Sequence, residues 1–219
     1  GLGTVLSLVY SALNYGIQIS LVEFFGYRMR GVFEILMSIV GLASVLFSFN
    51  YYTALNLHVA EQHGAPRNIV RIGSLILGVQ VLALFVMYAV SPKQGIVEPS
   101  QYWVFLALLI VAAVLNHKVN EHTAVLNGHH FFLQAKILSL IGAATSAVLI
   151  LLAYACGHTE VSLIVWLAVL GPFGGSYAYA KILTYFQPAL VRREGEIRPR
   201  ALLRENGWVY LISLAQFIS

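Results

Sequence analysis

The sequence predicts an all-α, polytopic membrane protein. Of its 219 residues, 59% are hydrophobic and only 10% are charged, and the mean hydropathy is +0.79. Soluble domains carry about 25% charged residues, so this composition excludes an ordinary soluble fold. The hydrophobic residues also concentrate in windows without a charge, each long enough to cross a hydrocarbon core of about 30 Å. These windows are 1–22, 35–57, 72–92, 99–116, 137–159 and 161–180, and a further one starts at 206.

We therefore predict six transmembrane helices that form one lobe over residues 1–187, and a basic cytoplasmic linker over 188–205. Residues 206–219 would begin a seventh transmembrane helix. The chain has no initiator methionine, and its last hydrophobic window is cut short. We expect it to be part of a longer protein.

The first window carries polar side chains at the regular spacing of one helix face. The intervals between them are three, four, three and four residues, which predicts a continuous polar seam through the depth of the membrane. An unpaired amide in hydrocarbon costs roughly several kcal/mol, so the seam should face protein or water. It predicts either interhelical hydrogen bonds or the lining of a cavity. The seam consists of Thr4, Ser7, Ser11, Asn14 and Gln18.

A short outer turn over residues 23–34, which contains Gly26 and Gly31, should connect the first window to the second. The second window leads into an amphipathic segment that ends near Gly64 and Pro66. Asn50, at the end of the second window, could extend the polar seam or hold that helix to a neighbour.

The fourth window turns polar after residue 116, but no proline or glycine interrupts it before Gly128. We predict that this helix projects into the cytoplasm, with His117 and Glu121 on one face of a solvated helix end. The fifth helix should begin near Phe131. The sixth contains Pro172 between glycines, which predicts either a hinge or a close helix contact.

The distribution of basic residues predicts the orientation. Three alternate loops and their helix ends carry ten of the 13 Lys and Arg residues. By the positive-inside rule this side is cytoplasmic, which also places the N-terminus in the cytoplasm. The sequence pI of about 9.2 then follows from topology and from contact with anionic membrane lipids, and it does not indicate a nucleic-acid partner. The single cysteine, Cys156, cannot form an intrachain disulfide.

The order of these features resembles a known family. The polar first helix, the glycine-containing outer turn, the segment from Asn50 to Gly64 and the Ala124-Val-Leu-Asn-Gly128 junction are similar to polysaccharide-export flippases of the multidrug/oligosaccharidyl-lipid/polysaccharide superfamily. The resemblance implies two six-helix lobes around a central cavity, with the first helix of each lobe beside the cleft. The present chain would then supply the N-terminal lobe and the first helix of the other.

The resemblance also implies a function. The expected substrate is an oligosaccharide on a polyprenyl pyrophosphate, moved to the outer leaflet of a bacterial inner membrane for O-antigen, lipopolysaccharide or related polysaccharide synthesis. A polysaccharide polymerase or a glycosyltransferase would be a partner, and no cofactor, metal or catalytic residue is expected. Hydroxyls and amides suit the sugar, and cations suit the pyrophosphate. The candidates are Ser7, Ser11, Asn14, Gln18 and Asn50 for the sugar and Arg71, Lys118 and Lys136 for the pyrophosphate.

Two other functions fit parts of the sequence. A multidrug or cation antiporter of the same superfamily would usually need an acid inside its membrane cavity, whereas here every Glu lies near a predicted helix end and Asp is absent. A di-iron hydroxylase or desaturase would use histidines, and two H-x4-H pairs and the His129-His130 doublet are present. The histidine boxes that such enzymes need are missing, so ordinary interfacial histidines explain these residues better.

Overall fold

A computed structural model describes residues 1–48, 51–90, 102–158, 160–187, 190 and 192–197, without the side chains of residues 161, 162 and 165. The described residues form helices joined by turns. The helices are α1 (Leu2–Phe25), α2 (Tyr27–Phe47), α3 (Tyr51–Gln62), α4 (Ile69–Val90), α5 (Tyr102–Gly128), α6 (Phe132–Ala155) and α7 (Val161–Phe186). The predicted all-α class is confirmed.

Five of these helices, α1, α2, α4, α5 and α6, are long and apolar enough to cross a membrane. This number refers to the described residues alone. Because a bilayer leaves backbone groups no other partner, helices that satisfy their own hydrogen bonds are the expected solution. The chain therefore has the character of an integral membrane protein. The seventh helix, α7, is 26 residues long and contains Pro172.

The first connection differs from the predicted outer loop over residues 23–34. Only Gly26 separates α1 from α2, and its φ of 85° allows the abrupt reversal. Arg30 and Glu34 lie inside α2, where the Arg30 Nε is 2.8 Å from the Glu34 Oε1. The predicted turn was too long, because both residues of this pair lie one helical turn apart within α2.

The second predicted window, 35–57, is shared by two helices. It contains the end of α2 and the start of α3, a helix of 12 residues. The hydrophobic content of this window does not reveal the division. Buried Tyr51, Leu55 and Val59 form one face of α3, and this face packs against α5. The Asn50 expectation lies outside the described residues.

The extension of the fourth helix to Gly128 is confirmed, because α5 ends there. Glycine is required at this position, since a Cβ on Gly128 would lie 2.6 Å from the Val59 Cβ of α3. The predicted fifth helix is also confirmed, and α6 starts at Phe132.

The segment around Pro172 makes a close contact with α6. A Cβ on Gly171 would lie 2.7 Å from the Ser146 Cα, and Gly175 faces Thr145 equally closely. Gly142 of α6 is equally confined, because a Cβ at this position would collide with the Pro172 carbonyl of α7. These contacts favour the close-packing explanation of Pro172 over the hinge.

Part of the predicted linker is docked to the bundle. We call residues 192–197 the strap. The backbone N–H of Ala65 donates to the Arg192 carbonyl at 2.8 Å, and the N–H of Arg67 donates to the Gly195 carbonyl at 2.9 Å. The Asn68 side chain both donates to and accepts from the Ile197 backbone. The strap is thus bound to the turn between α3 and α4. Residues 198–219, which include the predicted seventh transmembrane helix, lie outside the described part.

Candidate functional site

Helix α1 carries the polar seam along a sparsely covered surface. Only 11% of its most hydrophobic 18-residue window is buried within the described part of the protein, and the helix packs against α6 and α2. Ser11 is exposed, whereas Ser7, Asn14 and Gln18 are partly buried. The seam therefore runs along a helix that most of the described bundle leaves uncovered.

Two seam residues bond to their own helix. The Ser7 hydroxyl donates to the Gly3 carbonyl at 3.0 Å, and the Asn14 amide donates to the Tyr10 carbonyl at 3.1 Å. Gln18 is the exception, since its Oε1 accepts from the Arg30 guanidinium of α2 at 3.4 Å. Structural adhesion between helices would require hydrogen bonds from one helix to another. Ser7 and Asn14 make no such bond to another described helix.

The three cations proposed for pyrophosphate are not brought together. Arg71 is exposed on α4 and Lys136 is exposed on α6. Lys118 of α5 is only partly exposed, and its Nζ lies 2.7 Å from the Glu121 Oε2. Of the three, only Lys118 lines the cavity described below.

A buried polar cluster joins α3, α4 and α5. The expected solvated helix end is wrong, because His117 is 0% exposed and Glu121 only 6%. The reason is that α3 and α4 cover this face of α5. The Tyr51 hydroxyl donates to the Glu121 Oε1 at 2.9 Å. A Cβ on Gly73 of α4 would collide with the same carboxylate oxygen, so glycine at this position makes room for it.

The two buried phenols of the cluster are neutral. The His117 Nε2 lies 3.2 Å from the Glu121 Oε1 without a hydrogen bond between them, and the His117 Nδ1 is 2.8 Å from the Tyr52 hydroxyl. Burial raises the pKa of Tyr52 to about 12. Burial and the nearby Glu121 charge raise the pKa of Tyr51 well above its ordinary value. Both phenols therefore remain protonated and can donate to the cluster.

A basic cavity of about 300 Å³ opens beside this cluster. Its volume is at the lower end of the roughly 300–1,000 Å³ range of small-molecule pockets. Its walls come from α4, α5, α7 and the strap, and they combine polar residues with an apolar surface. The ionisable or hydroxylated residues in these walls are Lys118, Glu121, His122, Tyr177, Lys181, Thr184 and Arg193.

Reasoning from the sequence missed most of this arrangement. The i, i+4 spacing placed His117 and Glu121 on one face, but it carried no information about what covers that face. Lys181 and Arg193 are two of the ten basic residues that the charge distribution places on the cytoplasmic side, a weaker signal than a shared cavity. Within the described part of the chain, no group of three or more His, Cys or acidic residues is arranged to hold a metal ion.

Comparison with known proteins gave no match. No family model matches the chain, and neither a curated protein nor a solved structure matches it. These comparisons therefore add nothing to the chemistry of the sites.

Proposed function

We propose that the chain is the N-terminal six-helix lobe of a two-lobe flippase. Its substrate is an oligosaccharide on a polyprenyl pyrophosphate, carried from the cytoplasmic to the outer leaflet of a bacterial inner membrane for O-antigen or other surface polysaccharide synthesis. The N-terminus is cytoplasmic. The protein works with a polysaccharide polymerase or a glycosyltransferase.

The observation that carries this proposal is the polar seam of α1. Hydroxyls and amides extend along a membrane-length helix, and the described helices leave most of that helix uncovered. A lipid-facing surface would favour apolar side chains, because each unsatisfied polar group is costly in hydrocarbon. In a hydrated cleft between two lobes, water can hydrogen-bond the polar side chains of the seam. The hydroxyl groups of a sugar can then take the place of these water molecules.

The resemblance to polysaccharide-export flippases, noted from the sequence, agrees with this explanation. In that architecture, the first helix of each lobe borders the cleft. Ser7, Ser11, Asn14 and Gln18 would then contact sugar hydroxyls, and Asn50 would extend the same surface. Lys118 would meet the pyrophosphate at the basic end of the bundle, whereas Arg71 and Lys136 would attract it from exposed positions.

The test is a flipping assay on the full-length protein in liposomes that contain a fluorescent polyprenyl-pyrophosphate oligosaccharide. Asn14→Leu should lower the initial rate by about fivefold or more, equivalent to roughly 1 kcal/mol of lost substrate interaction. Its thermal melting should remain near the wild-type value, because Asn14 bonds to its own helix.

A matched pair of serines provides the control. Ser11 is exposed on the seam, while Ser20 borders a separate apolar cavity between α1 and α6. Ser11→Ala should slow flipping, and Ser20→Ala should not. The proposal fails if wild-type protein does not move the lipid, or if both seam variants flip at the wild-type rate.

An ion-coupled antiporter is the second candidate, and the buried Glu121 specifically favours it. The sequence-based argument against this function was the absence of an acid within the membrane bundle. Glu121 is such an acid, since it is buried in a helix that can cross a membrane. In this case, substrate-driven cation or proton flux should be detectable in the same liposomes and should be lost in Glu121→Gln.

A further inference from the structure

We infer that the basic cavity between α5, α7 and the strap binds a phosphate-bearing group, with Lys181 and Arg193 as its principal cations. This inference is independent of the transport proposal, because binding alone tests it. It also differs from the pyrophosphate site expected from the sequence, since its principal cations lie on α7 and the strap and replace Arg71 and Lys136 in that role.

The charge balance of the cavity favours an anion. Three cationic side chains and one carboxylate line it. The carboxylate of Glu121 is already paired with Lys118 at 2.7 Å and receives the Tyr51 hydroxyl. Lys181 and Arg193 form no ion pair with any carboxylate of the described residues. Two positive charges therefore face the cavity without an acidic partner from that part of the chain.

The positions of these two cations have structural support. The Lys181 Nζ lies over the Tyr177 ring, 5.2 Å from its centroid, and both residues line the cavity. This contact orients the ammonium group without neutralising it. Arg193 follows Arg192, whose backbone carbonyl accepts the hydrogen bond from Ala65. The backbone bonds of the strap thus hold the Arg193 backbone beside the cavity that this residue lines.

The chemistry of the walls matches a phosphate monoester or a diphosphate. A terminal phosphate carries about −1.5 to −2 charges at pH 7 and offers several acceptor oxygens. Arginine binds such oxygens through a planar fork, lysine acts as a compact charge, and the Tyr177 hydroxyl adds a neutral donor. The remaining wall is apolar, with Val70, Val125 and Leu183 among its residues. A lipid with a phosphate headgroup and a soluble diphosphate share this chemistry.

The strap contributes a wall of the site, so a bound phosphate should hold it more firmly. The anion would bridge Arg193 on the strap and Lys181 on α7, which adds a connection to the existing backbone bonds with the α3–α4 turn. A ligand that binds only when the strap is docked stabilises the docked strap by mass action. Backbone amides of the strap should therefore exchange hydrogen more slowly when the cavity is occupied.

The experiment measures binding to full-length protein in phosphatidylcholine nanodiscs. Inorganic pyrophosphate, titrated calorimetrically, tests the soluble source, and native mass spectrometry with added phosphatidic acid tests the lipid source. Lys181→Gln and Arg193→Gln should each weaken binding of the recognised probe by about tenfold, as expected for a lost hydrogen bond to a charged group. The same probe should slow amide exchange at Glu194, whose N–H donates to the Ala65 carbonyl.

Arg192→Gln is the matched control. Arg192 adjoins Arg193 in the strap, but its guanidinium is paired with Glu194 at 2.8 Å and does not line the cavity. This variant should retain binding within about twofold, because the Arg192 guanidinium is paired with Glu194 and lies outside the cavity. Equal losses in Arg192→Gln and Arg193→Gln would mean nonspecific charge attraction and would overturn the inference. Failure of both probes to bind the wild-type protein would also overturn it.

Discussion

Ser146 of α6 donates its hydroxyl to the Ala168 carbonyl of α7 at 3.2 Å. Ala168 lies four residues before Pro172, which has no N–H to complete the helical hydrogen bond. The serine of the neighbouring helix therefore satisfies the carbonyl that proline leaves without its usual donor. Membrane helices tolerate proline through such substitutions. The contact explains how α7 continues through Pro172 while it packs closely against α6.

Removing this donor should destabilise the α6–α7 contact. For Ser146→Ala we expect a loss of about 0.6–1.7 kcal/mol, the range of interhelical hydrogen bonds in membrane proteins. The melting temperature of the detergent-purified protein provides the measurement. Ser139→Ala is the control, since its hydroxyl bonds to the Ala135 carbonyl of its own helix. Equal melting of the two variants would show that Ser146 contributes nothing specific.

The Tyr51 hydroxyl should be important for stability. Tyr51→Phe removes the donor at 2.9 Å from the Glu121 carboxylate and leaves a buried charge with fewer partners. We expect a cost of about 1–3 kcal/mol, seen as a lower melting temperature. Tyr185→Phe makes the same chemical change at a residue that is 83% exposed, and it should melt like the wild type. A Tyr51→Phe protein as stable as the Tyr185→Phe protein would contradict the role of the cluster.

Asn68 should hold the strap in place. Its side chain makes two hydrogen bonds with the Ile197 backbone, at 2.8 and 3.1 Å. Asn68→Ala should raise the population of the open strap, so trypsin should cleave after Arg192 and Arg193 about tenfold faster if local opening limits cleavage. Asn56→Ala is the control, because the Asn56 side chain has no hydrogen bond within the described residues. Unchanged cleavage in Asn68→Ala would mean that the backbone bonds alone secure the strap.

Acidification should destabilise the turn between α5 and α6 through His129. Burial, with the neighbouring His63 and His130, holds the His129 pKa below its ordinary value of 6.5. Between that lowered pKa and 6.5 the unfolded state binds more protons than the folded state. Stability is therefore complete above about pH 6.5 and is lost as the pH falls through the lowered pKa.

The measurement is the change in melting temperature between about pH 7.5 and pH 5, a range that brackets the ordinary histidine pKa. His129→Gln should show a smaller loss on acidification than the wild type. The exposed His158 provides the control, and His158→Gln should keep the wild-type pH dependence. If both variants lose stability as the wild type does, His129 is not the group responsible.

Reasoning from the sequence succeeded where a single helix contains the whole signal. The end of α5 at Gly128 and the start of α6 near Phe131 follow from hydrophobic content and helix breakers, which act over a few residues. The same reasoning misjudged the region around Gly26, where a single residue separates the two helices and α2 begins at Tyr27. Gly26 and Gly31 indicated a turn of twelve residues, whereas the positive φ of Gly26 alone makes the reversal.

The membrane class and the polar seam of α1 were determined by the sequence itself, because hydrophobic content and helical period are properties of consecutive residues. Tertiary structure decided which polar faces are covered. Glu121 became a buried acid only when α3 and α4 packed over it, and the Tyr51 that binds it lies 70 residues away. Arg193 joined Lys181 in one cavity only because the strap docks on a turn more than 120 residues earlier. Such contacts depend on how separate helices meet, and no local spacing in the chain contains that information.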